Sequence, residues 1–140
     1  MLYQIAQINI ARMIAPLDTP VMHDFVTNLD RINALAESAA GFVWRLKGDG
    51  NDATSLRPYE DERIIVNMSV WESVADLFKY AYYSDHTEIF RRRAEWFVKM
   101  TTPAVALWWV EAGHVPSVHE AKQKLALIEE NGPSPCSITA

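Results

Sequence analysis

Cysteine is almost absent from this chain, and its scarcity limits the covalent chemistry available. The 140 residues include one cysteine, Cys136, four residues from the end in a Pro- and Ser-containing segment. No disulfide can form within the chain, which favours a reducing compartment, and a reactive thiol needs an electropositive setting, so we interpret Cys136 as incidental. The sequence also lacks an apolar run near the ~20 residues of a membrane span and lacks a secretion signal. We expect a cytoplasmic protein with no membrane partner.

Basic residues are too few to suggest a nucleic-acid partner. The chain has 13 Lys and Arg against 18 Asp and Glu, which gives a net charge of −5 and a pI of about 5.3. Domains that bind nucleic acid typically carry a positive patch. The one basic cluster is Arg91-Arg92-Arg93, and we interpret Arg91 and Arg92 as the solvated side of a helix. We therefore expect no nucleic-acid partner.

Common signatures of catalysis and metal binding are also missing. The sequence has no Gly-rich phosphate loop, no G-x-S-x-G and no Cys-x-x-Cys. The four histidines, at positions 23, 86, 114 and 119, show no metal-ligand spacing. We therefore predict no metal site.

The chain does contain enough apolar material for one packed domain. Hydrophobic residues make up 49% of the sequence, and a chain of this length buries roughly 68–70% of its unfolded surface. The Asn131-Gly132-Pro133 segment is typical of a helix end. We assign residues 1–132 to a single domain and residues 133–140 to a loose C-terminal tail.

Hydrophobic periodicity divides the domain into four strands and three helical regions. Alternation of period two predicts strands at 2–11, 42–47, 63–72 and 104–111. Helices are predicted after Thr19-Pro20, Ser73 and Ser117, where capping residues precede apolar residues spaced by three and four. The second helical region is expected to break near Tyr82–Asp85 and to resume to about Lys99. The order β-α-β-β-α-β plus a C-terminal helix predicts an α+β, ferredoxin-like domain.

The first and third predicted strands have two unlike faces. Their even-numbered residues are almost all aliphatic, and we assign them to the side that the helices cover. The odd-numbered residues mix uncharged polar groups with aromatic and aliphatic ones: Tyr3, Ile5, Gln7, Asn9, Ile65, Asn67, Ser69 and Trp71. Such a face suits a ligand cavity, and the alternative is a polar dimer interface whose side chains bond to each other or to water. A sheet face that helices leave open must be wet or covered by a partner. Both interpretations place this face in a homodimer.

Five segments resemble a known group of proteins. They are Asn9-Ile10-Ala11-Arg12, Gly41-Phe42-Val43-Trp44-Arg45, Val70-Trp71-Glu72-Ser73, Arg92-Arg93-Ala94-Glu95-Trp96-Phe97 and Leu107-Trp108-Trp109-Val110. The pattern is similar to an uncharacterised bacterial branch, a domain-of-unknown-function family, of the dimeric α+β barrel superfamily. That superfamily includes the antibiotic-biosynthesis monooxygenases and their haem-degrading relatives. The resemblance covers nearly the whole chain and implies a homodimeric α+β barrel.

The resemblance also implies roles for particular residues. The monooxygenase relatives use an Asn on the first strand and a Trp at the junction after the third, and Asn9 and Trp71 match these positions. With His86 they form the expected catalytic set. The haem-degrading relatives use a histidine of the second helix as the haem ligand, whereas this chain has Arg91 near that position and His86 more than a turn earlier. We expect no cofactor, with haem as the alternative.

One predicted helix face carries a mixed aromatic and basic stripe. His86, Phe90, Arg93 and Phe97 are spaced by four, three and four residues, which places them on one side of a helix. They could face an anionic or phenolic ligand, with His86 as general base; alternatively His86 caps the helix and Arg93 pairs with a carboxylate. The ligand-binding residues we expect are Tyr3, Gln7, Trp44, Asn67, Ser69, Phe90, Arg93 and Phe97.

Three functions follow from these expectations. The first is a cofactor-independent, monooxygenase-like enzyme acting on a small aromatic substrate, with Asn9 and Asn67 holding a substrate oxygen and Trp71 packing on the ring. The protein would supply deprotonation, orientation and exclusion of water. The second is a non-catalytic protein that binds a small hydrophobic molecule, and the third is a haem-binding or haem-degrading protein. The fold does not choose among them, since one fold serves many chemistries.

Overall fold

A computed structural model describes residues 2–48, 54, 56, 58–83 and 91–132 of the chain. The described strands are β1 (Tyr3–Met13), β2 (Phe42–Arg45), β3 (Ile64–Trp71), β4 (Phe97–Val98) and β5 (Val105–Glu111). The described helices are α1 (His23–Ser38), which follows a 3-10 turn at Pro20–Met22, then α2 (Val74–Tyr83), α3 (Arg93–Trp96) and α4 (Val118–Asn131). The chain therefore has the mixed α+β composition that the sequence predicts.

Strand β1 is the centre of an open antiparallel sheet. It pairs with β3 along one edge, from Ile5 opposite Trp71 to Arg12 opposite Ile64. Its other edge pairs with β5 over the first part of the strand and with β4 at Arg12 and Met13. Strand β2 pairs with β3, so the strand order is β2-β3-β1-β4 with β5 also beside β1. Both edges of β1 are therefore paired, and the burial of its side chains depends on what covers the two faces of the sheet.

Two of the three predicted helix starts use the expected capping side chain. The backbone N–H of Asp76 donates to Ser73 Oγ at 3.1 Å before α2, and the N–H of Glu120 donates to Ser117 Oγ at 3.1 Å before α4. The third expectation was wrong, because the hydroxyl of Thr19 donates to the carbonyl of Pro16 at 2.6 Å instead of capping. A 3-10 turn then separates Thr19 from α1.

The chain after Trp96 is a strand and not the helix predicted to reach Lys99. Helix α3 stops at Trp96, and Phe97 pairs with Met13 in the sheet. The cause is that β1 continues two residues past its predicted end at Ala11 and offers an unpaired edge. The ring of Phe97 meets the ring of Phe25 edge to face at 5.1 Å. The predicted break and restart at 84–90 lie outside the described residues.

The helices cover the two faces of the sheet differently from the sequence prediction. Helices α1 and α2 lie on the odd-numbered face, where Ala36 and Leu77 pack with Ile5 and Trp71. Helix α4 covers the even-numbered face, and its contacts there are Ala121, Leu125 and Ile128 against Ile8, Ile10, Val66, Met68, Val70, Ala106 and Trp108. The prediction that the odd-numbered face is left for a partner sheet was therefore wrong. An aliphatic face shows that a surface is buried, but not which element buries it.

Candidate functional site

Five polar residues cross the odd-numbered face of the sheet and form what we call the polar band: Gln7, Asn9, Arg45, Asn67 and Ser69. Register places them together, because Asn9 lies opposite Asn67, Gln7 opposite Ser69, and Ser69 opposite Arg45. Gln7, Arg45 and Ser69 are buried, whereas Asn9 and Asn67 are exposed. The band thus runs from the protein interior to solvent within two rows of the sheet.

Apolar clusters border the polar band at both ends. One contains Ile5, Trp71 and Leu107, together with Ala36 of α1. The other contains Met13, Met22 and Trp96, with Ile65, Phe97 and Phe25 of α1 packed against it. Because α1 supplies Phe25 to one cluster and Ala36 to the other, the helix passes over the band. Asn9 and Asn67 are the two members of the band that solvent reaches.

A continuous set of hydrogen bonds joins three side chains of the band, Gln7, Asn67 and Ser69, to Trp71. The amide nitrogen of Gln7 donates to Asn67 Oδ1 at 2.7 Å and to Ser69 Oγ at 2.8 Å. The indole N–H of Trp71 donates to the same Ser69 oxygen at 2.8 Å. Gln7, Ser69 and Trp71 are buried, so rotation of one of them would leave a buried polar group unpaired, and the bonds favour a single arrangement.

Arg45 brings a buried positive charge to the band. Its side chain is 5% exposed, and its Nη2 lies 3.2 Å from the Oε1 of Glu37, a carboxylate at the rim that is 42% exposed. Nearby, burial raises the pKa of Tyr80 to about 12, an effect that the charge of Arg45 partly opposes. The Tyr80 hydroxyl donates to the carbonyl of Ile32 at 3.2 Å. Tyr80 is therefore neutral at physiological pH and links α2 to α1.

Trp71 lies beneath the site and not at its surface. Its side chain has no exposed area, and its ring stacks on Tyr80 and meets Phe42 edge to face. Its one polar atom is bound to Ser69. In this arrangement Trp71 supports Ser69 and has no free ring face to offer a ligand.

The other residues expected at the site are scattered. Tyr3 is exposed and lies two rows from the band, beyond Ile5. Trp44 packs against the core of the opposite face, because a register shift between Phe42 and Trp44 turns it over. Arg93 is exposed on α3, and Phe97 lies in β4 and not on its predicted helix stripe. His86 and Phe90 lie outside the described residues.

Sequence reasoning missed two residues of this region, Arg45 and Tyr80. Arg45 follows the same register shift, so a strict alternation from Phe42 places it on the wrong face. Tyr80 was detectable, because it follows the buried Leu77 by three residues and so shares its helix face.

A second polar cluster lies where β5 leads into α4. Glu120 accepts the indole N–H of Trp108 at 2.8 Å on one oxygen and lies 2.7 Å from His114 Nε2 on the other. Burial tends to raise the pKa of Glu120, but the hydrogen bonds from His114 and Trp108 outweigh it and the pKa is lowered. Both carboxylate oxygens of Glu120 thus already have partners, so we interpret this cluster as a structural connection between β5 and α4.

Metal ligands do not gather anywhere in the described part of the chain. Within those residues no group of three or more His, Cys, Asp or Glu side chains is placed to hold a metal ion. The described helices also include none long and apolar enough to cross a membrane.

Comparison with known proteins gives a family and a fold. The profile of a family described as "Domain of unknown function (DUF3291)" matches residues 4–140. The fold is similar to a protein of unknown function from Nitrosomonas europaea, NE2512, with 12% identity, a TM-score of 0.50, and coverage of 83% of this chain and 97% of that one. It is also similar to PA3566 from Pseudomonas aeruginosa, with 14% identity, a TM-score of 0.52, and coverage of 81% and 98%. No curated protein matches the sequence significantly.

Proposed function

The chain belongs to the DUF3291 family of domains of unknown function, and we propose that it binds a small molecule at the solvent end of the polar band. The observation that carries the proposal is the pair Asn9 and Asn67, which lie directly opposite each other on β1 and β3 and are both exposed. Two amides carried side by side on paired strands can supply the few oriented polar groups by which pockets hold a ligand.

The surroundings of the two amides favour a ligand with an apolar part. Partly buried Ile65, Phe97 and Phe25 lie on one side of the band, in the cluster around Trp96. Small-molecule sites combine such apolar walls with a few oriented hydrogen-bonding groups. A small aromatic molecule with one polar substituent fits this combination of walls and amides.

The proposal is tested by ligand-dependent stabilisation. A compound that binds the folded state raises the melting temperature as its concentration rises. We expect some members of a panel of small aromatic compounds to do so with the natural chain, and the shift to fall with Asn9→Ala. Gln123→Ala, on the exposed side of α4, is the matched control and should keep the full shift. Absence of any stabilising compound, or an unchanged shift with Asn9→Ala, contradicts the proposal.

Turnover of the ligand is a second proposal, in the form of a monooxygenase-like oxidation of an aromatic substrate. Its support is the same pair of neutral amides, which can hold a substrate oxygen in place while another group removes a proton. His86, the base expected from the sequence, lies outside the described residues. Oxygen consumption with an electron-rich phenol, lost in Asn9→Ala, is the measurement. Binding without oxygen consumption leaves the chain as a binding protein.

We also propose a ferredoxin-like topology and a homodimer. The order of β2, β3, β1 and β5, with α1 and α2 on one face, supports the topology. The resemblance to dimeric α+β barrels supports the homodimer, and its interface would lie elsewhere than on the odd-numbered faces, since α1 and α2 cover them. Sedimentation analysis distinguishes a dimer of about twice 15.9 kDa from a monomer of that mass.

A further inference from the structure

We propose that the polar band recognises a negatively charged oxygen of its ligand, as in an aromatic carboxylate or phenolate. This inference deepens the proposed binding function and rests on it. It follows from counting which hydrogen-bonding capacities of the band are already used and which are left.

Two acceptor atoms at the centre of the band already receive hydrogen bonds. Asn67 Oδ1 accepts from Gln7, and Ser69 Oγ accepts from both Gln7 and Trp71. A hydroxyl oxygen has two acceptor lone pairs, so Ser69 has no acceptor capacity left. A ligand that donates a hydrogen bond therefore cannot use Ser69 Oγ to receive it.

The donor atoms of the same residues remain. Asn67 uses its carbonyl oxygen toward Gln7, so its two amide hydrogens point away from that contact. The Ser69 hydroxyl still has its hydrogen after accepting twice. No acceptor for either group is found among the described residues. The Gln7 side chain therefore orients its neighbours so that they offer donors.

The electric field at the band has the matching sign. The guanidinium of Arg45 is 5% exposed, whereas its partner Glu37 is 42% exposed at the rim. Water screens the exposed carboxylate more strongly than the buried cation, so Arg45 contributes a positive potential inside the band. Tyr80, whose pKa the charge of Arg45 also affects, is uncharged at neutral pH. Donors together with a positive field favour an anionic oxygen over a neutral one.

The test compares benzoate with benzamide, which has nearly the same shape and no charge. Binding is followed by NMR in the millimolar range, through the side-chain amide signals of Asn67 and Gln7. Because hydrogen bonds to a charged acceptor are about twice as strong as neutral ones, we expect benzoate to bind at least about tenfold more tightly than benzamide.

Substitution at Asn67 removes the donors while keeping the acceptor. Asn67→Asp still accepts from Gln7 through an oxygen but presents a second oxygen in place of the amide nitrogen, and we expect benzoate affinity to fall at least about tenfold. Asn67→Ala removes the donors without adding charge and should weaken benzoate more than benzamide. Gln123→Glu adds the same charge on α4, across the sheet, and should change benzoate affinity less than about twofold.

The possible results distinguish failure of the anion preference from failure of the proposed small-molecule binding. Equal affinity of benzoate and benzamide at the band, or tighter binding of benzamide, overturns the anion preference and leaves small-molecule binding in place. Shifts confined to residues away from the band also overturn the inference. If neither compound perturbs the band amides at any concentration, the proposed binding function fails with it.

Discussion

The indole of Trp71 stacks on the ring of Tyr80, with ring centres 5.1 Å apart and planes inclined by 26°. The two residues come from β3 and α2, so the contact fixes the helix to the odd-numbered face of the sheet. On its edge, Trp71 donates to Ser69, a member of the polar band. Trp71 thus packs in the core and also holds Ser69 of the polar band by a hydrogen bond. A substitution at Trp71 is therefore expected to affect the site by displacing Ser69.

Replacement of Trp71 by Phe tests this structural role. The substitution deletes the donor to Ser69 and part of the stacked surface, so we expect the free energy of unfolding to fall by about 1–3 kcal/mol. Trp109→Phe is the matched control, because Trp109 is 50% exposed and should change stability by less than about 0.5 kcal/mol. Urea denaturation followed by circular dichroism measures both. Equal losses in the two variants contradict the buried supporting role of Trp71.

Gly41 provides a test of the turn that places β2 beside β3. Its φ is +83°, and an added Cβ would overlap the carboxyl group of Asp76, which accepts from Ser73 at the start of α2. Gly113 has a similar φ of +92° but open space around the same position. Gly41→Ala and Gly113→Ala therefore share the backbone strain and differ in the clash.

We expect Gly113→Ala to cost about 1 kcal/mol from left-handed backbone strain alone, and Gly41→Ala to cost at least about 1 kcal/mol more. The difference in urea midpoint between the two variants measures the contact with Asp76. If a second substitution, Asp76→Gly, which removes all the overlapping side-chain atoms, does not reduce the cost of Gly41→Ala, the overlap is not its cause.

Much of the polar band was predictable from the sequence. Gln7, Asn9, Asn67 and Ser69 share a face because β1 and β3 pair without interruption, so period-two alternation holds across all of them. The family resemblance to a domain of unknown function was also confirmed. The fit of Asn9 and Trp71 to catalytic roles stays a prediction.

Other parts of the site depend on contacts between distant segments, which the pattern of residues along the chain does not reveal. The register shift in β2 reverses the sides of Trp44 and Arg45, and nothing in the residues Phe42–Arg45 requires it locally. The choice of face by α4 depends on which apolar surface remains after α1 and α2 have packed. The strand at Phe97 forms because β1 offers an edge more than 80 residues earlier in the chain, which overrides the helical spacing.

Tyr80 predicts how stability changes in alkaline solution. Its pKa is raised from 10.0 to about 12 in the folded chain, mainly by burial. Between these two values the unfolded chain loses the proton and the folded chain keeps it, so stability falls as pH rises through this window. We expect Tyr80→Phe to flatten that part of the stability profile in urea denaturation. Tyr3→Phe, at an exposed tyrosine, should leave the slope as it is, and an equal flattening by both variants contradicts the assignment.

Glu120 predicts the behaviour of the α4 connection in acid. Its pKa lies below the ordinary value of a glutamate side chain, since hydrogen bonds from His114 and Trp108 stabilise the carboxylate more than burial destabilises it. The stabilisation is present above the unfolded pKa and is lost as pH falls through the lower folded pKa. We expect Glu120→Gln to reduce stability by about 1 kcal/mol at neutral pH and to remove part of the acid dependence.

The same helix supplies a control for Glu120. Glu130→Gln changes the same kind of group at an exposed position near the end of α4, and it should leave the acid limb of the stability profile unchanged. Trp108→Phe deletes one of the two hydrogen bonds and should reduce the acid dependence only in part, because His114 still holds the other oxygen. If Glu120→Gln leaves the dependence of stability on acidic pH unchanged, the charge of Glu120 does not contribute to the connection between β5 and α4.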